Sequence, residues 1–143
     1  MDNEFKLEFK SKSINEGFAR IVVAAFVSQL DPMVEELSDI KIAVSEAVTN
    51  SIIHGYKELD GVIKINCKLV GRKIIIEVID SGCGIENIEE ARKMLFTSLV
   101  TKERSGMGFT IMENFMDKVN IESIVGVGTK VVMEKELTKE IDT

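Results

Sequence analysis

Glu46, Asn50 and His54 lie four residues apart in the stretch SDIKIAVSEAVTNSIIHGY. Side chains at that spacing stack along one face of a helix. Ile40, Ala43, Val44, Ala47 and Val48 mark a core side, so the helix should be largely buried. Glutamate and asparagine suit a buried surface poorly unless something partners them. A carboxylate and a magnesium-favouring amide on one stripe could serve a phosphate-transfer site; a solvated stripe is the plainer reading. Downstream, DSGCGI puts Asp80, Gly82 and Gly84 at the end of an apolar run. An ionised carboxylate only accepts hydrogen bonds, so Asp80 could select a ligand amine such as the exocyclic amine of adenine. Glycines there would let the backbone pass close to a flat ring. An ordinary strand-to-turn glycine pair is the alternative.

A second glycine pair follows in SGMGF. If it opens a helix, the backbone N–H groups of Ser105, Gly106, Met107 and Gly108 form an anion site that the helix dipole strengthens. Lys102 and Arg104 precede it and could fold over a phosphate. A simple helix start beside surface charge explains the same residues. Thr129 follows Gly128 at the start of the final strand, where threonine is also common for strand propensity alone.

The elements that must position these groups are legible from periodicity. EFKLEFK alternates Phe5, Leu7 and Phe9 against Lys6, Glu8 and Lys10, the pattern of a half-buried strand. In the next helix Phe18, Ile21, Val22, Ala25, Phe26 and Leu30 recur at helical spacing, and Ser13 with Glu16 has the form of a capping box. Asp31-Pro32 stops this helix and starts the second, which is expected to run to about His54 and to end on a left-handed Gly55. VIKINCKLV and KIIIEVI form a hairpin, IEEARKML a short helix, FTIMENFM a further helix, and KVNIESI with TKVVMEKEL a second hairpin. The order predicts an α+β fold: a two-layer α/β sandwich with a mixed, mostly antiparallel sheet and helices on one face. The βαβα alternation of a doubly wound dinucleotide fold is missing, which weakens an NAD reading of the glycines.

At 143 residues the chain fits one domain, taken as 1–143, with enough core to bury most of its apolar surface. No apolar run reaches membrane-spanning length, and the N-terminal MDNEFKLEFK is not a secretory signal, so a cytoplasmic location is expected. Cys67 and Cys83 make no disulfide framework, and with the lone His54 they match no zinc spacing. A net charge of −6 argues against nucleic-acid binding. It would suit a basic protein partner, or merely aid solubility.

Taken together, the order and spacing of these segments resemble the GHKL ATPase/kinase superfamily and its Bergerat nucleotide-binding fold. EAVTNSIIHGY looks like its asparagine box, DSGCGI and RSGMGF like its first and second glycine boxes, and GVGT like its last. ARIVVAAFVSQLDP, SEAVTNSIIHGY and SGMGFTIMENFMD more closely resemble the anti-sigma F factors of endospore formers. That family implies a serine kinase using ATP, yielding ADP, with Mg²⁺. It binds a sporulation sigma factor and phosphorylates an anti-anti-sigma protein.

The resemblance implies that Asn50 holds Mg²⁺ within a box that also contains His54, and that Glu46 is the base taking the serine proton. Asp80, helped by Thr129, would accept the adenine amine. Gly82, Gly84, Gly106 and Gly108 would give close backbone contact, and Arg104 or Lys102 would reach the terminal phosphate. Glu16 and Arg20 on the first helix would face the partner. The family is dimeric, and the first strand is an edge suited to self-pairing. A phosphohistidine relay is disfavoured, since the single histidine lies inside the asparagine box. A nucleotide-gated binding module in which phosphate orders residues 97–105, and a stand-alone ATPase, would need the same pocket.

Overall fold

The structure is a computed structural model, and it describes residues 2–57, 59–84 and 108–138. Strand β1 (Asp2–Lys10) leads into helix α1 (Asn15–Val27) and a 3₁₀ turn at Ser28–Leu30. Helix α2 (Val34–Asn50) continues as a π-helical turn, Ser51–Gly55. Strands β2 (Val62–Val70) and β3 (Lys73–Asp80) follow, then helix α3 (Gly108–Phe115), β4 (Lys118–Ile124) and β5 (Gly128–Glu136). The segment IEEARKML lies outside the described residues.

The strands form one sheet in the order β1-β2-β3-β5-β4, with every neighbouring pair antiparallel among the described residues. Alternation along each strand separates two faces. Phe5, Leu7 and Phe9 of β1, Ile63, Ile65, Cys67 and Leu69 of β2, and Ile74, Ile76 and Val78 of β3 point inward, with Val131 and Met133 of β5. Ala19, Val23 and Val27 of α1, Ile40, Ala43, Val44, Ala47 and Val48 of α2, and Phe109 and Met112 of α3 join the same core. Each large aliphatic side chain fully buried there contributes about 1.5–3 kcal/mol. The expected two-layer α+β sandwich is therefore present. Burial pushes the Cys67 thiol up to about 12, so that side chain behaves as a small apolar one.

The outer face of the sheet carries rows that mix both signs of charge. Register places Glu8, Lys64, Ile79, Lys130 and Glu122 in one row, and Glu4, Lys68, Ile75, Glu134 and Lys118 in another. Ion pairs cross between strands: Lys64 to Glu8 at 3.4 Å, Lys130 to Glu77 at 2.6 Å, and Lys73 to Glu134 at 3.6 Å. The Glu77 carboxylate, by hydrogen bond and by charge, holds the Lys130 ammonium above its usual range. β1 is an edge strand, as the alternation of EFKLEFK allows.

Two local expectations differ from what forms. Ser13 does not cap α1: the helix starts at Asn15, the Glu16 N–H donates to the Ser13 carbonyl at 3.2 Å, and the Glu16 side chain pairs with Arg20 at 3.5 Å. The back-reaching glutamate occurs instead at α2, where Glu36 Oε1 accepts the Met33 N–H at 2.9 Å. The second helix also does not stay α-helical to His54. It widens after Asn50, the Tyr56 N–H reaches the Ser51 carbonyl at 2.9 Å, and Lys57 rather than Gly55 takes the left-handed conformation, at φ 52°. A Cβ on Gly55 would come within 2.9–3.0 Å of the Asp80 carboxylate, so the glycine supplies space rather than a turn.

Lys135 fastens the far end of the helical layer. Its ammonium donates to the Phe115 carbonyl, at the last turn of α3, at 2.9 Å and lies 3.6 Å from Asp39 of α2. A cation suits a helix C-terminus, where carbonyls lack partners and the dipole is negative.

Candidate functional site

The inward side of β3 reads Ile74, Ile76, Val78, Asp80, so strand alternation carries a carboxylate onto the core face. One cross-strand row at that end runs Phe9, Ile63, Asp80, Thr129, Ser123. It begins apolar and becomes polar at β3. Asp80 is 6% exposed and Thr129 8%. A buried carboxylate must find donors, and Asp80 finds two among the described residues. Ser51, itself 4% exposed, donates its hydroxyl to Oδ2 at 2.9 Å, and the Gly82 N–H donates to Oδ1 at 3.0 Å. A carboxylate has about four lone-pair positions, so acceptor capacity remains for another donor.

The segments around positions 50 and 80 are sewn together by backbone. The Cys83 N–H donates to the Gly55 carbonyl at 2.8 Å, and its thiol donates to the His54 carbonyl at 3.2 Å. The Ser81 N–H donates to the Tyr56 hydroxyl at 2.7 Å, and that hydroxyl donates to the Val62 carbonyl. These contacts explain Gly82 and Gly84 directly. A side chain at Gly82 would overlap the carbonyl of Gly55; at Gly84, where φ is +77°, it would overlap the Ile124 carbonyl. Both glycines were expected to make room for a flat ring. In the structure the room they make is taken by the chain's own backbone, which holds Asp80 in place.

Glu46 is buried at 8% exposure on the final turns of α2, four residues before Asn50. The amide nitrogen of Asn50 and the Nε2 of His54 are shielded from solvent and lack a hydrogen-bond partner among the described residues. Polar atoms left in that state are costly. They occupy the end of the helix that abuts Asp80 through Ser51. Thr129 sits opposite Asp80 in the β3–β5 register, its hydroxyl 2.8 Å from that of Ser123. Helix α3, which starts at Gly108, packs against α2. Lys102, Arg104, Ser105, Gly106 and Met107 lie outside the described residues.

Residues 11–135 match the family described as "Histidine kinase-like ATPase domain". The anti-sigma F factor of Clostridium kluyveri is 58% identical over 134 residues, 94% of either chain. That of a Thermoanaerobacter species is 59% identical over 133 residues, 93% of either chain. That of Clostridium perfringens is 56% identical over 138 residues, spanning 96% of this chain and 99% of the relative. The chain belongs to the anti-sigma F factor family. It is therefore a histidine kinase-like ATPase-fold protein of the GHKL type.

In this family member Glu16 and Arg20 lie on α1, paired with each other and partly exposed, beside the exposed Phe18 and Ile21. Three contributors to the Asp80 environment have no site role in the sequence motifs: Ser51, Ser123, and Gly55, expected only to end the helix. Ser51 and Gly55 are four apart, like Glu46, Asn50 and His54. Ser123 shares the inward parity of Ile121 on β4. Both signals were present in the spacing. Among the described residues no helix is long and apolar enough to cross a membrane.

Proposed function

We propose that the chain is a Mg²⁺-ATP-dependent protein serine kinase and an anti-sigma factor, acting as a single domain over 1–143 in the cytoplasm. Its partners would be a sporulation sigma factor and an anti-anti-sigma protein that supplies the acceptor serine. The observation that carries this reading is the buried Asp80 carboxylate, held by Ser51 and Gly82 beside Thr129. Such a group can accept the exocyclic amine of adenine without moving, with Thr129 alongside.

The residues present fit a magnesium ion brought in on a phosphate chain. Asn50 carries a shielded side-chain amide whose nitrogen has no partner among the described residues and whose oxygen is the kind of ligand Mg²⁺ takes; the ion typically uses only one or two protein ligands while phosphates and waters complete its octahedron. When bound, the ion would neutralise charge on the transferring phosphoryl group. Asn50 would hold it through Oδ1. Glu46, one turn earlier, would accept the serine hydroxyl proton as the serine oxygen bonds to the γ-phosphorus. The bond from that phosphorus to the bridging oxygen breaks, and ADP leaves with that oxygen. The cradle at Ser105, Gly106, Met107 and Gly108, together with Lys102 or Arg104, would face the phosphates. Most of the rate would come from positioning and charge neutralisation.

Glu16 and Arg20 on α1 are the proposed contacts for the sigma factor and the anti-anti-sigma protein, and the free edge of β1 is the proposed self-pairing surface of a homodimer. The test incubates the chain with Mg-ATP and each candidate partner, followed by mass spectrometry for phosphoserine. Glu46→Gln is expected to lower phosphotransfer about 10²–10⁴-fold while nucleotide binding persists. Phosphate released only to water would make the protein a stand-alone ATPase. Partner binding that depends on nucleotide, with no phosphoserine formed, would make it a gated binding module.

A further inference from the structure

The geometry points to Ser51 as a positioning residue that sets adenine selectivity by fixing the orientation of the Asp80 carboxylate. This rests on the reading of Asp80 as the group that accepts the adenine amine. Three neighbours enclose the carboxylate. Ser51 Oγ donates to Oδ2 at 2.9 Å from the helical layer, and the Gly82 N–H donates to Oδ1 at 3.0 Å from the loop. The third is Gly55, whose absent Cβ would have stood 2.9–3.0 Å from the carboxylate atoms. The Ser51 hydroxyl is supplied by the first residue of the π-helical turn, and Gly55 is its last. The wider turn therefore presents a donor and a space to the same side chain.

Rotation about the carboxylate's final bond is broad in the absence of partners. The Gly82 bond alone holds one oxygen and leaves the other to be fixed from the helix. Ser51 does this with a group that donates, so the carboxylate is kept as an acceptor with a defined lone pair left for the adenine amine. Without the hydroxyl, a buried oxygen loses its donor and the carboxylate can turn. Ser45 provides the contrast. It is on α2, buried to a similar degree, and its hydroxyl has no partner among the described residues.

The test compares affinities of the full chain for ADP and for purine riboside 5′-diphosphate, which lacks the exocyclic amine, by calorimetry with Mg²⁺ present. Diphosphates avoid turnover. The parent chain is expected to prefer ADP by about 10-fold or more, the scale of a hydrogen bond to a charged group. In Ser51→Ala that ratio should fall about 3-fold or more, chiefly through weaker ADP binding. Ser51→Thr, which keeps the hydroxyl, should retain the ratio better than Ser51→Ala. Ser45→Ala, the same deletion on the same helix, should leave the ratio unchanged. Equal weakening of both ligands in Ser51→Ala, or no change in the ratio, would overturn the assignment. A parent chain that shows no preference for ADP would instead remove the Asp80 reading on which it stands.

Discussion

Replacing Asp80 by asparagine separates the carboxylate's duty to the fold from the duty to adenine proposed for it. The fold asks it to accept from Ser51 Oγ at 2.9 Å and from the Gly82 N–H at 3.0 Å. Asparagine has one acceptor oxygen and one NH₂ group. The backbone N–H of Gly82 cannot reverse, so the amide oxygen must face it. The NH₂ then faces Ser51, whose hydroxyl can rotate to accept. Both local bonds survive in altered form, and the loss of unfolding free energy should stay near about 1 kcal/mol. The ligand side is less forgiving. A charged acceptor for the adenine amine is gone, which removes about 1.5–3 kcal/mol, or about 10–150-fold in ATP affinity. The new amide donor matches a carbonyl at the same ring position, so inosine triphosphate should lose far less than ATP or gain outright. Competition binding with the two triphosphates reads the ratio, and a thermal melt confirms the fold. ATP affinity within about 2-fold of the parent, with an unchanged ratio, would refute the placement of adenine against Asp80.

Two further substitutions probe the supports of the site. Gly82→Ala forces a methyl into the Gly55 carbonyl, so the loop must move away from the π-helical turn and take its N–H off Asp80. Overpacking of this kind costs about 1–3 kcal/mol; a melt lowered by several degrees with weakened nucleotide binding is expected, and an unchanged melt would contradict the close approach. Glu36 reports on pH. Burial alone would raise its pKa, but N–H donors from Thr138 and Met33, with the Lys135 charge, outweigh burial and hold it below the ordinary 4.5. A depressed folded-state value means that its stabilisation is complete above the unfolded value and lost as pH falls through the folded one. The unfolding free-energy difference between the parent and Glu36→Gln should be flat near neutrality and shrink below about pH 4.5; a difference independent of pH down to about 3 would refute it.

Alternation made β1, β2 and both hairpins legible, because a sheet with one wet face writes its period into the sequence. The inward parity of Ile74, Ile76 and Val78 extends to Asp80, but the nearly unbroken apolar run KIIIEVI hides that parity, and the sequence alone puts Asp80 only at a strand end. What sequence could not supply was which distant group answers it. Ser51 is 29 positions away, and nothing in TNSIIHG distinguishes a π-helical turn from a continued α-helix. The glycines were legible as places of close approach, but whether a ligand or the backbone of Gly55 and Ile124 fills the space is settled only in three dimensions. Ser13 and Glu16 show the opposite failure. Their spacing satisfied a capping rule, yet the helix begins after Ser13 and Glu16 turns to Arg20. Of the second glycine box only Gly108 and Phe109 are among the described residues; Lys102, Arg104, Ser105, Gly106 and Met107 lie outside them.

The strand order has a consequence for a chain still leaving the ribosome. β3 lies between β2, its hairpin partner, and β5, the last strand to be made. Until β5 emerges, one whole side of β3 keeps its peptide groups unpaired and Asp80 has no Thr129 opposite it. On the proposed placement of adenine, a nascent chain can thus own the asparagine helix and the first glycine turn and still lack a finished purine seat. Capture of nucleotide would then be a late event in biogenesis, tied to completion of the sheet.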